Sequence, residues 1–495
     1  MACFPKISWH WLVWVACLPL FAAVGSETRL VRAFLLGYLC GVIFFGGSCY
    51  WFVAVTERYG GLSPPLAWGV LTLFALVSAV FFGAFGLVEG WMAGVSPSAA
   101  LSIAPFLWVA LEVARTYLIA EFPWDLLGYA VRAEGLRQVA SVTGVYGLSF
   151  LAASSSALLA GSFVGRGRKW VGAALLAWVA LLLVGNRAFA PPAVSRGEDV
   201  AYLVQTNVPL DESALESWAP WRDPAGLNQL VKISLAAIAA ESNPAKAAPP
   251  LIVWAENPAP FYFTRDPVFR NAAEGLARQA RAYLIFNTVI PVGGDINRVT
   301  NSAVVLDPDG REVLQYDKIH LVPFGEYVPA WAFPNKVGKI TSEVGNFVPG
   351  SSYRIARAPQ GAVGVFICYE AIFPQLARGL ALAGAGVLVN VSNDAWYGDT
   401  AAAFQHLEMA RMRAIENGRY LLRATNDGIT VVVDPYGRVV DRIPRHCQMV
   451  LRGRFNYRRE RTFYTSRGDV FAWLCVAASV GVLIGAAFKG EGKRA

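Results

Sequence analysis

Three short apolar runs of this chain each end on a side chain able to do chemistry. Leu251 to Ala255 delivers Glu256, Val313 to Asp317 delivers Lys318, and Val363 to Ile367 delivers Cys368. A free thiol, with a pKa of about 8.5, is mostly protonated near neutrality and needs a base or a nearby cation to act as a nucleophile. Glu256 could take its proton as general base, while Lys318 could stabilise the thiolate and then the oxyanion of a tetrahedral intermediate. The backbone N–H of Tyr369 could supply a second oxyanion donor, a contact worth about 3 to 4 kcal/mol of barrier. That set performs acyl transfer through a thioester. Taken singly, the same residues also fit a small core hydrophobe and two solvated loop charges. His320, His406 and His446 carry no cysteine-protease signature, and no metal-ligand spacing occurs, so neither a metal nor a cofactor is expected.

Such residues need rigid strands to aim them. Asp199 to Asn207, Pro250 to Glu256, Tyr283 to Ile290, Gly361 to Cys368, Gly386 to Asn393 and Tyr420 to Asn426 are apolar without strict alternation, the pattern of strands buried on both faces. Val304 to Tyr316 and Thr430 to Arg442 read as hairpins turning at Asp307-Pro308-Asp309-Gly310 and Asp434-Pro435-Tyr436-Gly437. Helical patterns fill Asp223 to Ala240, Pro267 to Ala282, Pro374 to Ala383 and Ala401 to Asn417. Together they form a layered α/β domain, whose sites collect where strands finish.

The rest of the chain is of another kind. Of 495 residues only 16% are charged and 55% are apolar, with a net charge of +8 and a mean hydropathy of +0.42. That composition excludes disorder and argues against a wholly soluble protein; no nucleic-acid partner is expected. A bilayer core needs about 20 consecutive apolar residues in a helix. Such stretches run from Trp9 to Gly25, Ala33 to Val55, Leu66 to Gly90, Ala99 to Leu118, Val139 to Phe163 and Trp170 to Arg187, then Val470 to Phe488. The first, with Trp9, Trp11 and Trp14 and no small-residue cleavage site, reads as a retained helix rather than a signal peptide. The expected domains are therefore 1–190 with about six spans, a globular block 191–469, and a last span with a short tail over 470–495. Glu112 and Arg115 would share one helical face, either as an intramembrane proton or ion path or as a self-neutralising pair against other helices.

Arg29 and Arg32, then Arg166, Arg168 and Lys169, then Lys489, Lys493 and Arg494 fall on one side of a seven-span arrangement. Basic loops stay cytoplasmic, so the globular block is expected outside, at the periplasmic face. Arg458, Arg459, Arg461 and Arg467 lie on that outer side, where they could meet lipid phosphates or simply be solvated. Of seven cysteines only Cys368 and Cys447 fall in the external block, where an oxidising compartment would allow a disulfide.

The series Trp254-Ala255-Glu256, Tyr316 to Pro329 (YDKIHLVPFGEYVP) and Ile367-Cys368-Tyr369-Glu370 resembles the nitrilase superfamily, with its Glu-Lys-Cys triad on an αββα sandwich. The long middle motif, together with Asn390 to Gly398 (NVSNDAWYG) and a helix carrying Gln405-His406 and Ala410 to Ala414, is similar to its membrane-bound apolipoprotein N-acyltransferase branch over nearly the whole chain. The resemblance implies a polytopic α-helical membrane domain plus an α/β nitrilase-like αββα sandwich, in a bacterial inner membrane. It implies that Cys368 takes the sn-1 acyl chain of a phospholipid and passes it to the α-amine of the diacylglyceryl-cysteine of an apolipoprotein. Glu256 would then be the base and Lys318 the cation. Glu326, Tyr369 and Glu370 fall on supporting positions, and Trp396 is expected at the substrate; a monomer is expected.

Leu321 to Gly350 carries Phe324, Tyr327, Trp331, Phe333 and Phe347 among prolines and glycines. Loops that long are lids or binding loops, and aromatics favour the membrane interface. The segment reads as a mobile arm that touches the bilayer and roofs the thiol, with Trp396 and Tyr397 on a second arm; aromatics tucked beneath the loop are the alternative. Three features depart from the family. It has eight spans, and the stretch from Phe4 to Val24 looks like its second helix; a Pro is usual where Ala255 stands; and its substrate-site tryptophan corresponds to either Trp218 or Trp221.

Overall fold

The computed structural model describes residues 1–118, 121–164, 168–194, 197–208, 210, 224–240, 248–256, 262–327 and 346–491. Trp218, Trp221, Trp331 and Phe333, and with them most of the expected arm, lie outside the described residues. The chain divides into two compact units, one of residues 1–54, 62–192 and 462–495, the other of 55–61 and 193–461.

The first unit is all helix. Among the described residues six helices are long and apolar enough to cross a membrane: Leu30–Ser48, Pro64–Val95 (interrupted at Ala79), Pro97–Tyr117, Val145–Phe163, Val171–Ala188 and Val470–Phe488. The stretch expected as a first span divides instead into a 3₁₀ turn, His10–Val15, and a seven-residue α-helix, Leu18–Val24. Pro19 stands at the start of that helix; it lacks an N–H and disfavours helical geometry in the residue before it, so it begins a helix rather than continuing one. Helices Leu30–Ser48 and Val80–Val95 meet through small residues: a Cβ at Gly37 would strike the Phe82 carbonyl, and one at Gly86 the Ala33 carbonyl. Such close backbone approach is how helices associate where no hydrophobic drive separates them from lipid. Glu112 and Arg115 are both buried. Oε1 of Glu112 accepts from Trp108 Nε1 (3.1 Å) and from the N–H of Leu127 (2.8 Å), and Arg115 lies over the Phe45 ring.

The second unit is a sandwich. Its strands are β1 (Asp199–Gln205), β2 (Leu251–Trp254), β3 (Tyr283–Val292), β4 (Asp295–Leu306), β5 (Glu312–Asp317), β6 (Asn346–Phe347), β7 (Ile355–Arg357), β8 (Ala362–Ile367), β9 (Val387–Ser392), β10 (Tyr420–Thr425), β11 (Val431–Val433), β12 (Val439–Arg442) and β13 (Met449–Phe455). One sheet has the order β13-β1-β2-β3-β4-β5, with β6 beside β4; the other has β12-β11-β10-β9-β8-β7. β1, β2 and β3 run parallel, as do β8, β9 and β10, which is why they are apolar on both faces. The sheets face each other through β1 on β10, β4 on β8 and β5 on β7. Helices Ala225–Ala239 and Pro267–Ala280 cover the larger sheet, and Pro374–Ala383 and Ala402–Asn417 the smaller, giving four layers.

Local chemistry sets these boundaries. Pro267–Ala280 begins where Asp266 Oδ1 accepts from the N–H of Val268 (2.9 Å), with Pro267 in the first turn. Its apolar stripe, Phe269, Ala273, Leu276 and Ala277, packs with Trp254, Phe286 and Leu284. Each fully buried side chain of this kind contributes about 1.5 to 3 kcal/mol. The β3–β4 hairpin turns at Gly293 and Gly294, both at positive φ as a tight two-residue turn demands. β4 begins at Asp295, nine residues before the start expected at Val304, and so takes in the polar run that holds Asn301.

Candidate active site

Glu256 follows β2, Lys318 follows β5 and Cys368 follows β8, so the carboxylate and the ammonium ride on one sheet and the thiol on the other. All three are withdrawn from solvent, with exposures of 8%, 1% and 6%. Nζ of Lys318 stands 3.9 Å from Glu256 Oε1 and 2.9 Å from Glu326 Oε1. Nδ2 of Asn301 donates to the same two oxygens, at 3.2 and 2.7 Å, while its own Oδ1 accepts from Asn287 Nδ2 at 2.6 Å. The two carboxylates are thus held by one ammonium and one amide. Oε2 of Glu256 is buried without a hydrogen-bond partner among the described residues, leaving a lone pair for an incoming proton.

Burial raises the pKa of Glu256; Lys318 opposes the rise and Glu326 adds to it. Lys318 is drawn down by burial but carried above its ordinary value by Glu326, Glu256 and Cys368, so it stays an ammonium. Burial, then the Glu256 charge, pushes the Cys368 thiol well above its ordinary range, against the pull of Lys318. All seven cysteines are free, so the possible Cys368–Cys447 disulfide does not form; Cys447 donates to the Pro444 carbonyl instead.

Cys368 has a φ of +47°, a left-handed conformation that a non-glycine residue holds only where its surroundings enforce it. It opens a 3₁₀ turn, Cys368–Ile372, directly at the end of β8. Glu370, in the same turn, is fully buried. Its Oε1 accepts from the Tyr316 hydroxyl (2.8 Å) and the N–H groups of Ile319 (2.7 Å) and His320 (3.2 Å), and its Oε2 from the N–H of Ile367 (2.7 Å). One carboxylate therefore ties the segment after Lys318 to the strand before Cys368. Glu326 sits in a tight turn in which its Oε2 accepts from the N–H of Val322 (2.8 Å).

The remaining expected residues fall as follows. Tyr369 packs edge-on against Phe373, whose other neighbour is the His320 ring, stacked at 4.0 Å. Burial lowers the His320 pKa to about 4, so the ring is neutral. Trp396 is half-buried, edge-on to Tyr59 at 4.6 Å, and Tyr59 also donates to the Ala395 carbonyl (3.2 Å). Tyr397, expected on an exposed arm, is buried instead against the His406 ring. Of the expected arm, Phe324 and Tyr327 close a turn through the N–H of Phe324 and the Tyr327 carbonyl, and Phe347 pairs beside Val299.

Two groups of residues escaped the sequence reading. Asn301 lies in a polar run that does not look like a strand. Asp394, His406 and Arg423 form a fully buried cluster: Arg423 Nη2 donates to both oxygens of Asp394 (2.8 Å each), Asp394 Oδ1 lies 3.1 Å from His406 Nδ1, and His406 Nε2 is 3.0 Å from the carbonyl of Cys368. The signal for it is an arginine inside the apolar strand Tyr420–Thr425, since a buried charge demands a partner. Among the described residues no group of three or more His, Cys, Asp or Glu is arranged to hold a metal ion.

Residues 1–158 match the apolipoprotein N-acyltransferase N-terminal domain, and residues 204–451 match the carbon-nitrogen hydrolase domain. An apolipoprotein N-acyltransferase of Geobacter metallireducens is 35% identical over 98% of this chain and 92% of its own length. One from Methylococcus capsulatus is 32% identical over 94% of this chain and 89% of its own. Among solved structures, an amidase from Nesterenkonia sp. aligns at 19% identity with a TM-score of 0.39, over 55% of this chain and 94% of that one. Membrane-length helices, an α/β sandwich of two sheets and likeness to these relatives along almost the entire sequence agree: the chain belongs to the apolipoprotein N-acyltransferases, membrane enzymes built on a carbon-nitrogen hydrolase domain.

Proposed function

We propose that the enzyme carries an acyl group on Cys368 between two lipid substrates. The observation that supports it most directly is the buried meeting of Lys318 with Glu256 and Glu326, at 3.9 and 2.9 Å, beside a free thiol on a strained turn. In the first half-reaction Sγ attacks the sn-1 ester carbonyl of a phospholipid while Glu256 accepts the thiol proton. The ammonium of Lys318 and the N–H of Tyr369 meet the oxyanion, which collapses to the thioester, and the lysophospholipid alkoxide leaves with the proton from Glu256. In the second, the N-terminal amine of a diacylglyceryl apolipoprotein attacks the thioester. Glu256 takes the amine proton and returns it to the departing sulfur, leaving an amide and the starting thiol.

The basic residues support a periplasmic site. Among the described residues five membrane-length helices lie between Arg29 and the sandwich domain, an odd number, which supports placing that domain on the opposite face of the bilayer from Arg29. The test is incubation of the purified enzyme with phospholipid labelled in its sn-1 chain. Acyl label on Cys368, chased onto a diacylglyceryl-cysteine peptide and absent from Cys368→Ser, is the expected result. Label released only to water marks a membrane-tethered amidase, and unchanged activity in Cys368→Ser removes the thioester altogether.

A further inference from the structure

We propose that His406 is a positioning residue: by donating to the Cys368 carbonyl it fixes the Cys368–Tyr369 peptide so that the Tyr369 N–H points toward the oxyanion. The proposal rests on the thioester reading above and adds to it the element that holds the donor in place.

The argument begins with the peptide group. A trans peptide is planar, and its C=O and N–H point in opposite directions. Whatever anchors the Cys368 carbonyl therefore sets the direction of the Tyr369 N–H. His406 Nε2 lies 3.0 Å from that oxygen, an acceptor, so Nε2 carries the proton. Nδ1 lies 3.1 Å from both Arg423 Nη2 and Asp394 Oδ1, and Arg423 is itself held on Asp394 by two bonds of 2.8 Å. Ser392 adds a hydroxyl to Asp394 Oδ1 (3.0 Å), and Asn390 takes a further N–H of Arg423 while its own Nδ2 donates to the Phe366 carbonyl (3.2 Å). The imidazole is thus clamped by groups from β9 and β10, next to the strand that carries the thiol. All of these side chains are fully buried. Burial, then Arg423, lowers the His406 pKa, against the pull of Asp394 and the Cys368 carbonyl. The anchored carbonyl belongs to the one residue of the triad at positive φ, a conformation in which a small rotation about the peptide would swing the N–H away.

The experiment compares two reactions of Cys368 in the full-length enzyme in detergent. Acylation by labelled phospholipid passes through a tetrahedral oxyanion; alkylation by iodoacetamide is a direct displacement and does not. In His406→Leu, acylation is expected to slow about 10²-fold while alkylation stays within about 3-fold of wild type, and His406→Gln, whose amide N–H replaces Nε2, should recover to within about 10-fold. Asp394→Asn, which loosens the clamp without emptying it, should show the same selectivity at about 10-fold should the leucine variant fail to fold. Equal losses in both reactions, or wild-type acylation in His406→Leu, overturn the positioning role alone. A wild-type enzyme that alkylates but never acquires acyl label overturns the thioester reading, and this inference with it.

Discussion

Lys318 pairs more closely with Glu326 than with Glu256: 2.9 Å against 3.9 Å. The ammonium is thereby paired first with Glu326, and Oε2 of Glu256 has no hydrogen-bond partner among the described residues. Glu326→Gln retains the shape and removes the charge. Because Glu326 raises the Glu256 pKa, its loss should move the acid limb of the acylation rate to lower pH while slowing acylation about 10- to 10²-fold through misplacement of Lys318. Rate against pH for the variant and the parent checks both.

The pH profile of the parent follows from the same charges. In the proposed mechanism acylation needs Glu256 ionised, and its pKa is raised above 4.5, so the rate should climb through a limb displaced above that value. Lys318 is held above 10.5, so no falling alkaline limb is expected from it below that pH. Single-turnover acylation from pH 4 to 10 tests this; a descending limb near neutrality contradicts the assignment of Lys318.

Glu370 faces four donors and no acceptor, so Glu370→Gln would turn an amide N–H₂ against one of them. The expected loss is about 2 to 4 kcal/mol of stability, with acylation impaired because the Lys318 and Cys368 segments lose their common tie. Burial raises this carboxyl from 4.5 to about 7, against the pull of its N–H donors and Lys318. Between those values the folded protein binds a proton that the unfolded chain has released, so this group's contribution to stability is full below pH 4.5, declines as pH rises to about 7 and is level above. Melting temperature against pH should show that decline in the parent and lack it in Glu370→Gln.

Asp394 and Gly428 test the buried clamp from two directions. Asp394→Ala leaves the fully buried Arg423 without its carboxylate and should cost about 3 to 5 kcal/mol. Gly428→Ala would place a methyl against the Asp394 carboxylate and should cost about 1 to 3 kcal/mol, with slowed acylation. Chemical denaturation with matched acylation rates measures each.

Much of the sandwich was legible because its strands announce themselves as apolar runs. Pro374–Ala383 has its expected bounds, and all six expected strands lie within two residues of theirs at each end. Less legible were strands whose residues serve the site rather than the core. Asn301, Thr300 and Ser302 make β4 look like a loop, yet they are buried because each has a polar partner. Glu256, Lys318 and Cys368 could be picked out by their position at strand ends, whereas Asn301 and Arg423 lie inside strands, where only a search for stranded polar groups would find them. The first apolar stretch shows the opposite: Trp9 to Gly25 has the composition of one long helix, yet the chain breaks after Val15 and restarts in a short helix that has Pro19 in its first turn.

Distribution of the reacting groups over two sheets makes the sandwich interior a gauge block. The sulfur is referenced to β8 and the acid and amine to β2 and β5, so their separation is set by the thickness of packing between layers, through β4 against β8 and β5 against β7. Enlarging or shrinking a side chain there, far from any substrate, changes the spacing of the chemistry before it changes the fold. Slow variants of this enzyme should therefore map to the plane where the two layers touch as well as to the residues at its rim.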